Sequence, residues 1–579
     1  MDHQDAQSTL AEALAGWLPG KMAEWKVPGM GIAVVKDGEV IHAAGYGVRD
    51  IETGQPVTAD TIFAIGSSSK AFTAASVAAL VDEGKLEWDK PVREYLPSFK
   101  LKDDFASARM TPRDLLCHRS GLPRHDLMWY NSTATRDQLL ERLQYLEPTH
   151  DFRAVWQYQN LMYLTAGYLA GKANGTPWEE VVRTRLFEPL GMQTAQFSVT
   201  ESQQAADFAR PHAERENELR GIDFRDITTI GPAGSINASA REMAQWVKLH
   251  LGKGKLGDKQ VMSESSMRQM HTPQMVITDP LWNEMYGSDL VSYGLGWFIH
   301  TFHGETMLQH GGNIDGFSAL VSFMPGRNVG VVTLTNLNTN FLTMATSFYI
   351  YEHVLGLEKN DWHGKLKSFV DKMKGEAAKA KDQSASDRKP DTQPSHSLAD
   401  YAGDFQHPGY GVVNITEAEG QLSATYNRLK MPLTHYHYDI FEGGPEGVDA
   451  TFKFQFHLDL KGNVDKLSVQ IEPQVAPAMF SRMADASLKN KTFLEQFVGE
   501  YEVMGMTISV SLRGEDILLA SVPGQGDVVL EPYQGTTFNL KGLPGFSLEF
   551  VIADGVVTDV KISQPNGTFS GKKRVAESA

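Results

Sequence analysis

Gly66-Ser67-Ser68-Ser69-Lys70 stands between a strand-like run, Thr61 to Ile65, and an Ala-rich, helix-like run, Ala71 to Glu83. A helix starting near Ser67 places Ser67 and Lys70 on one face, because positions i and i+3 are neighbours there. A serine hydroxyl is a weak nucleophile at neutral pH. An adjacent amine whose pKa is lowered by desolvation can take its proton. The N-terminus of the same helix offers free backbone N–H groups to a developing oxyanion. The stretch therefore reads as a candidate nucleophile, base and electrophilic surface in five residues. A Ser-x-x-Lys pattern also arises by chance, so the remainder of the chain must supply its context.

The chain has 579 residues, too many for one hydrophobic core and enough for three or four domains. With 41% hydrophobic and 22% charged residues it is ordinary globular protein. A net charge of −17 disfavours nucleic acids and anionic membranes as partners. A small molecule is the expected partner instead, and a homo-oligomer is left open. Cys117 is the single cysteine, so no internal disulfide forms. Residues 1–7 lack the basic and apolar regions of a signal peptide. The reading is cytoplasmic, or periplasmic or secreted if a signal has been removed. No run approaches the roughly 20 apolar residues of a membrane span. No metalloprotease, Walker or dinucleotide motif is present, so neither a cofactor nor a metal is expected. His435 and His437 would share one face of a strand, but no third ligand accompanies them.

Thr9 to Trp25 carries Leu10, Leu14, Leu18 and Met22 at helical spacing. Lys36-Asp37-Gly38 then joins two apolar runs as a hairpin. Residues 85–290 read as helices and loops. Strands return over 294–302 and 306–309, and a further hairpin surrounds Pro325-Gly326-Arg327. Strands at both ends of an inserted helical middle predict an α+β domain, with one antiparallel sheet flanked by helices and a helical subdomain beside it. The expected domains are 1–360, a helical then Pro/Ser-rich linker over 361–396, and two all-β, barrel-like domains over 397–489 and 490–579. The last two rest on alternating short strands and on a repeat, Tyr401-Ala402-Gly403-Asp404-Phe405 against Phe497-Val498-Gly499-Glu500-Tyr501.

Covalent serine catalysis also needs a proton carrier and an oxyanion hole. Tyr158-Gln159-Asn160 enters a helix-like run and brings a phenol and an amide. His310-Gly311-Gly312-Asn313 ends a short strand, and its glycines permit close backbone approach. The N–H of Asn313 can pair with that of Ser67 as oxyanion donors, with Gly311 and Gly312 lining the substrate path. Trp156 and Phe317 adjoin these motifs as pocket or core residues.

In order and approximate spacing, Ser67/Lys70, Tyr158/Asn160 and His310/Gly312 resemble the serine β-lactamase and penicillin-binding-protein-like superfamily. The likeness is to its class C-like branch, which holds D-aminopeptidases, carboxylesterases and penicillin-binding-like peptidases. Thr111 to Pro123 and Pro232 to Ser239 add to it, and it covers about residues 8–358. The resemblance implies Ser67 as nucleophile, Lys70 as activating amine, Tyr158 as proton shuttle supported by Asn160, and His310 in the third motif. The proton belongs to the Lys70–Tyr158 pair, either member of which can be the base. Where β-lactamases carry Lys-Thr-Gly, this chain has His-x-Gly and loses a permanent charge. That weakens efficient β-lactam hydrolysis and favours a D-aminopeptidase or amidase type, with an esterase as the alternative and an inactive binding protein as a third reading. In such enzymes a barrel loop can restrict the substrate, and the turn Pro523-Gly524-Gln525-Gly526 is a candidate.

Overall fold

The computed structural model describes residues 3–445, 450–484, 488, 490–524 and 526–574. It divides into two compact units. Unit 1 holds Met1–Arg388 with Pro408–Tyr410 and Ile471–Pro477, and unit 2 holds the rest.

Unit 1 is built on eight strands: β1 (Gly29–Lys36), β2 (Glu39–Gly47), β3 (Met275–Val276), β4 (Val291–Tyr293), β5 (Phe298–Phe302), β6 (Glu305–Ile314), β7 (Phe317–Met324) and β8 (Val329–Thr335). Their order is β2-β1-β8-β7-β6-β5-β4-β3, with antiparallel neighbours throughout. The central strands β7 and β8 are buried at every position, so both faces of the sheet are covered. Gly330 faces helix Ala240–Leu251, since a Cβ there would lie 2.3 Å from Val247 Cγ1. Three residues on, Thr333 Oγ1 donates to the Thr343 carbonyl of helix Leu342–Leu355 at 3.1 Å. An odd spacing along a strand means opposite faces, so the two helices sandwich the sheet. Trp246 also stacks on Phe72, with ring centroids 3.9 Å apart.

Helix α1 (Ser69–Asp82) contains Phe72 and is buried from Ser69 to Leu80. A helix apolar on all sides sits inside a domain. Ser67 itself falls not in this helix but in a 3-10 turn, Gly66–Ser68, that leads into it. The third motif also lies differently from the expectation. β6 does not stop at Gln309 but runs on to Ile314. What stops at Gln309 is its pairing with β5, and beyond that point the freed edge of β6 lies against Gly66–Ser68. Gly312 permits this approach, because a Cβ on it would sit 1.8 Å from the Ile65 carbonyl oxygen.

Helix Trp362–Ser386 follows the sheet. Unit 2 then contains two closed barrels of eight strands each, Gly403–His407 to Ala478–Arg482 and Gly499–Val503 to Gly567–Lys573. Each is a meander closed by pairing of its first and last strands, Phe405 with Arg482 and Tyr501 with Lys573. The sequence repeat marks the closure. Gly403 and Gly499 adopt φ +147° and +146°, and a Cβ on them would meet Arg482 Nη1 at 2.6 Å and Lys573 Cε at 2.8 Å. The last strand lays a long cationic side chain across the glycine that opens the first. Around them Tyr401, Phe405, Phe497 and Tyr501 are fully buried. His435 Nε2 bonds the Tyr438 carbonyl and His437 Nδ1 accepts from Lys389 N, and a register shift separates the two histidines.

Unit 1 buries neutral imidazoles. Burial holds His300 down to about 4 and His310 to about 3, and keeps His118 and His250 well below the ordinary range. Unfolded, these groups titrate near 6.5. Between that value and the folded values the unfolded chain binds more protons, so stability falls as pH falls. His300 alone contributes about 3 kcal/mol of this loss by pH 4. All ten tryptophans lie in unit 1, so tryptophan fluorescence follows its unfolding. Urea titrations should show stability dropping steadily from pH 7 to pH 4, with a shallower slope for His300→Gln. An equal slope in the variant would contradict the assignment to His300.

Candidate active site

Ser67 is partly exposed, whereas the Ser68, Ser69 and Lys70 side chains behind it are buried. Their hydrogen bonds fix the turn. Ser68 Oγ donates to the His310 carbonyl at 2.9 Å. Ser69 Oγ donates to the Gly66 carbonyl at 2.7 Å and accepts from Ile236 N at 3.1 Å. Gly66 has φ +51°, and a Cβ there would come within 2.8 Å of the Asn313 backbone nitrogen. The backbone of Asn313 is thus drawn beside the Ser67 turn.

Lys70 is wholly buried. Its Nζ lies 3.0 Å from Ser67 Oγ, 2.7 Å from Asn160 Oδ1 and 2.8 Å from the Ala233 carbonyl. Burial holds its pKa well below the usual lysine range; the Arg124 charge pushes the same way and Asp126 opposes it. The Pro232–Ser239 block acts here through its backbone. The Ala233 carbonyl accepts from Lys70, and the Pro232 carbonyl accepts from Thr73 Oγ1 at 2.6 Å. Gly167 makes room for Pro232, whose Cγ would lie 2.3 Å from a Cβ at that position.

Asn160 opens helix Asn160–Asn174, capped by the Gln159 side chain. Its Nδ2 donates to Asp126 Oδ1 at 2.8 Å, which turns Oδ1 toward Lys70. Asp126 also accepts from Trp129 Nε1 at 2.9 Å and Arg124 Nε at 2.6 Å. The Tyr158 ring has Lys70 Nζ 4.7 Å from its centroid and the Arg124 guanidinium at 5.0 Å, and it packs on His118 at 4.4 Å. Burial raises the Tyr158 pKa, while a hydrogen bond with Ser67 and the Arg124 charge act against the rise. His118, from the Thr111–Pro123 block, accepts from Gln159 N at 3.0 Å. Its neighbour Cys117 is inert by environment, since burial pushes the thiol up to about 12.

His310 reaches the site, but both its ring nitrogens are engaged within the protein. Nε2 lies 3.0 Å from the Tyr293 hydroxyl and Nδ1 2.7 Å from the Gly311 carbonyl. This pairing fits a neutral ring protonated on Nδ1. Burial, with the Lys70 charge acting the same way, keeps the ring neutral.

Two cavities flank Ser67, of about 280 and 270 Å³, and both are also lined by Arg124 and Asn313. The first is walled by Trp282, Met285, Phe298, Phe341 and Met344. The second is more polar than the first, with Asp126, Tyr130, Asn160, Asp315 and Asn338 in its lining. Trp156 does not line the first cavity but backs it, packing on Trp282 and Phe298 at 5.4 and 5.7 Å. Phe317 is core. Among the described residues no cluster of three or more His, Cys, Asp or Glu side chains is arranged for a metal ion, and no helix is long and apolar enough to cross a membrane.

The structure brings Ser67, Lys70, Tyr158, Asn160, His310, Gly311, Gly312 and Asn313 to one place. Sequence reasoning missed Arg124, Asp126, Tyr293 and the Ala233 carbonyl. The first two follow directly on the Gly121-Leu122-Pro123 loop, and that charged Arg-His-Asp run was the available signal. The expected turn at Pro523–Gly526 has Gln525 outside the described residues, and its other residues belong to unit 2. Pro408–Tyr410 and Ile471–Pro477 belong to unit 1 instead. There Glu472 Oε2 accepts from His125 N at 2.9 Å, and the Tyr410 hydroxyl lies 2.6 Å from His125 Nδ1.

Comparison with known proteins places the fold. An unguisins hydrolase of Aspergillus violaceofuscus is 28% identical over 497 residues, covering 78% of this chain and 86% of that protein. The octameric penicillin-binding protein homologue of Pyrococcus abyssi matches in fold with TM-score 0.54 at 21% identity, covering 81% of this chain and all of that one. The D-amino acid amidase of Ochrobactrum anthropi SV3 matches with TM-score 0.50 at 21% identity, covering 60% and 98%. A domain of unknown function, DUF3471, matches residues 387–482, the region of the first barrel. The Beta-lactamase family model matches residues 14–352, more than half of the chain, and with it the chain belongs to the Beta-lactamase family and is a serine hydrolase.

Proposed function

We propose that this hydrolase cleaves small peptides or amides, with D-configured residues as the preferred acyl part, through an acyl-enzyme on Ser67. The observation that carries the reading is the desolvated Lys70 amine at 3.0 Å from Ser67 Oγ. A neutral amine has two N–H donors and one lone pair. Asn160 Oδ1 and the Ala233 carbonyl accept the two donors, and the lone pair faces the Ser67 hydroxyl. Ser67 Oγ attacks the carbonyl carbon as its proton passes to the Lys70–Tyr158 pair. The N–H groups of Ser67 and Asn313 receive the oxyanion. Collapse breaks the C–N bond, and the proton held by the pair goes through the Tyr158 hydroxyl to the leaving nitrogen. Water then attacks the ester, gives its proton to the same pair, and releases the acid and Ser67.

An amide nitrogen must be protonated to leave, and Tyr158, held in its neutral form beside Ser67, is suited to that step. The aromatic cavity around Trp282 and Phe298 suits an apolar side chain on the acyl part. His310 is a neutral part of the wall of that cavity and holds Tyr293. The D preference rests on the His-x-Gly likeness to D-aminopeptidases and on the amidase relative's name. A panel of D- and L-phenylalanine p-nitroanilides against p-nitrophenyl esters tests the reading. Turnover of esters with no cleavage of either anilide would make the protein a carboxylesterase.

Ser67→Ala should lower kcat by about 10⁴-fold or more, as loss of a covalent nucleophile does. Lys70→Arg should be nearly as inactive, because a guanidinium does not give up its proton; substantial turnover by it would remove Lys70 as base. The two glycines of the third motif should separate. Gly312→Ala drives a methyl into the Ile65 carbonyl, shifts Asn313, and should cost about 100-fold in kcat. Gly311→Ala meets nothing nearer than 3.6 Å, and steady-state kinetics should find it within a few-fold of the parent. Equal losses in both would argue against an oxyanion role for the Asn313 backbone.

A further inference from the structure

Arg124 lines both cavities that flank Ser67, and its side chain is 51% exposed. Among the described residues its Nε alone donates a hydrogen bond, to Asp126 Oδ2. Among the described residues neither Nη group meets a protein acceptor. Asp126 is already committed, with Oδ1 accepting from Asn160 and Trp129 and Oδ2 from Arg124. The four N–H donors on the Nη groups therefore form a free planar fork, the geometry that grips a carboxylate with two parallel hydrogen bonds.

Its place is specific. The guanidinium carbon lies 5.0 Å from the centroid of the Tyr158 ring. A leaving nitrogen that takes the Tyr158 proton sits within about 3 Å of that hydroxyl. In a peptide the α-carboxylate carbon of the leaving residue is about 2.5 Å from its nitrogen, within the span of the ring and the guanidinium above it. Other basic groups near Ser67 do not compete for this task. Lys70 is enclosed with its three contacts made, the His310 ring has both nitrogens occupied, and Arg225 is paired with Asp315 and Asn131.

We infer that Arg124 is a specificity-determining residue that binds the free α-carboxylate of the leaving amino acid, so that the substrates are short peptides with a free C-terminus rather than neutral amides. The inference rests on the proposed reading in taking Tyr158 as the donor to the leaving group. The carboxylate would lie on the Tyr158 side of the cleft, and the acyl side chain would enter the aromatic cavity.

Binding separates the inference from the reaction. Calorimetry on Ser67→Ala protein would compare phenylalanyl-glycine with phenylalanyl-glycinamide, each as the D- and L-phenylalanyl form. The acid of the bound series should bind at least about tenfold tighter than its amide, in line with one charge-assisted bidentate contact. Arg124→Met in the same background should bring the ratio close to one, with an unchanged thermal melt showing that the fold is intact. Equal affinities in the Ser67→Ala parent, a ratio that survives Arg124→Met, or no binding of any of the four compounds at millimolar concentration would each overturn it. Wild-type cleavage of the same compounds is scored separately. Selective binding without cleavage of any of them would refute the peptidase reading and leave the Arg124 site standing. Cleavage with equal affinities would do the reverse. The ratio is the readout because the Arg124 charge also bears on Lys70, and that effect is common to acid and amide.

Discussion

The removal of the Lys70 amine from water is the constraint on which the rest of unit 1 depends. A lone ammonium in such a position is costly, and the protein relieves that cost by favouring the neutral amine. Burial alone would leave the amine undirected. Two carbonyl oxygens, from Asn160 and Ala233, fix where its hydrogens go, and so where its lone pair points. Each of these acceptors is itself held. Asn160 is oriented by Asp126, and the Ala233 backbone is tied to the central helix through Thr73. The sheet contributes the other half of the site only because β6 outruns β5 and Gly312 lets its edge meet the turn.

Charge in the site is arranged around the same requirement. A permanent cation at the third motif would add to the field at Lys70 from within the buried wall. His310 instead stays neutral through burial. The permanent positive charge stands across the cleft at Arg124, half in solvent and tethered by Asp126. From there it lowers the Lys70 pKa, lowers that of Tyr158, and is tempered by Asp126. Desolvation and one partly screened cation thus act together on the Lys70 amine.

The sheet, the central helix and the three motifs were legible because each leaves a local mark: alternation, an Ala-rich apolar run, and glycines beside a histidine. The barrels were legible through the Gly403 and Gly499 repeat, which has a physical cause in the side chain laid across each glycine. The 3-10 turn at Ser67 was not legible, since its geometry is imposed by Gly66 against Asn313, nearly 250 residues away in sequence. Nor was the end of β6, which is set by where its partner stops. The Ala233 carbonyl could not be found from side-chain chemistry at all, because a backbone acceptor has no residue signature. Arg124 and Asp126 were visible as charges, but a surface loop is the ordinary place for an Arg-His-Asp run, and only the fold brings it to Tyr158 and Asn160.

The repeat and the connections between strands carry different information. Closure makes the two barrels alike, through the same glycine, the same buried aromatics and the same eight-strand meander. Their connections are not alike. Two connections of the first barrel, Pro408–Tyr410 and Ile471–Pro477, belong to unit 1, and no segment of the second barrel does. Both bear on His125 through Tyr410 and Glu472. His125 has φ +48°, an unfavourable conformation for a non-glycine residue that surrounding contacts must hold. It stands between Arg124 and Asp126, so what fixes His125 also fixes the cation over Tyr158 and the carboxylate that orients Asn160. The first barrel's sequence therefore contributes to the catalytic unit through about ten residues of connection, while its closed wall answers to the general demands of a barrel.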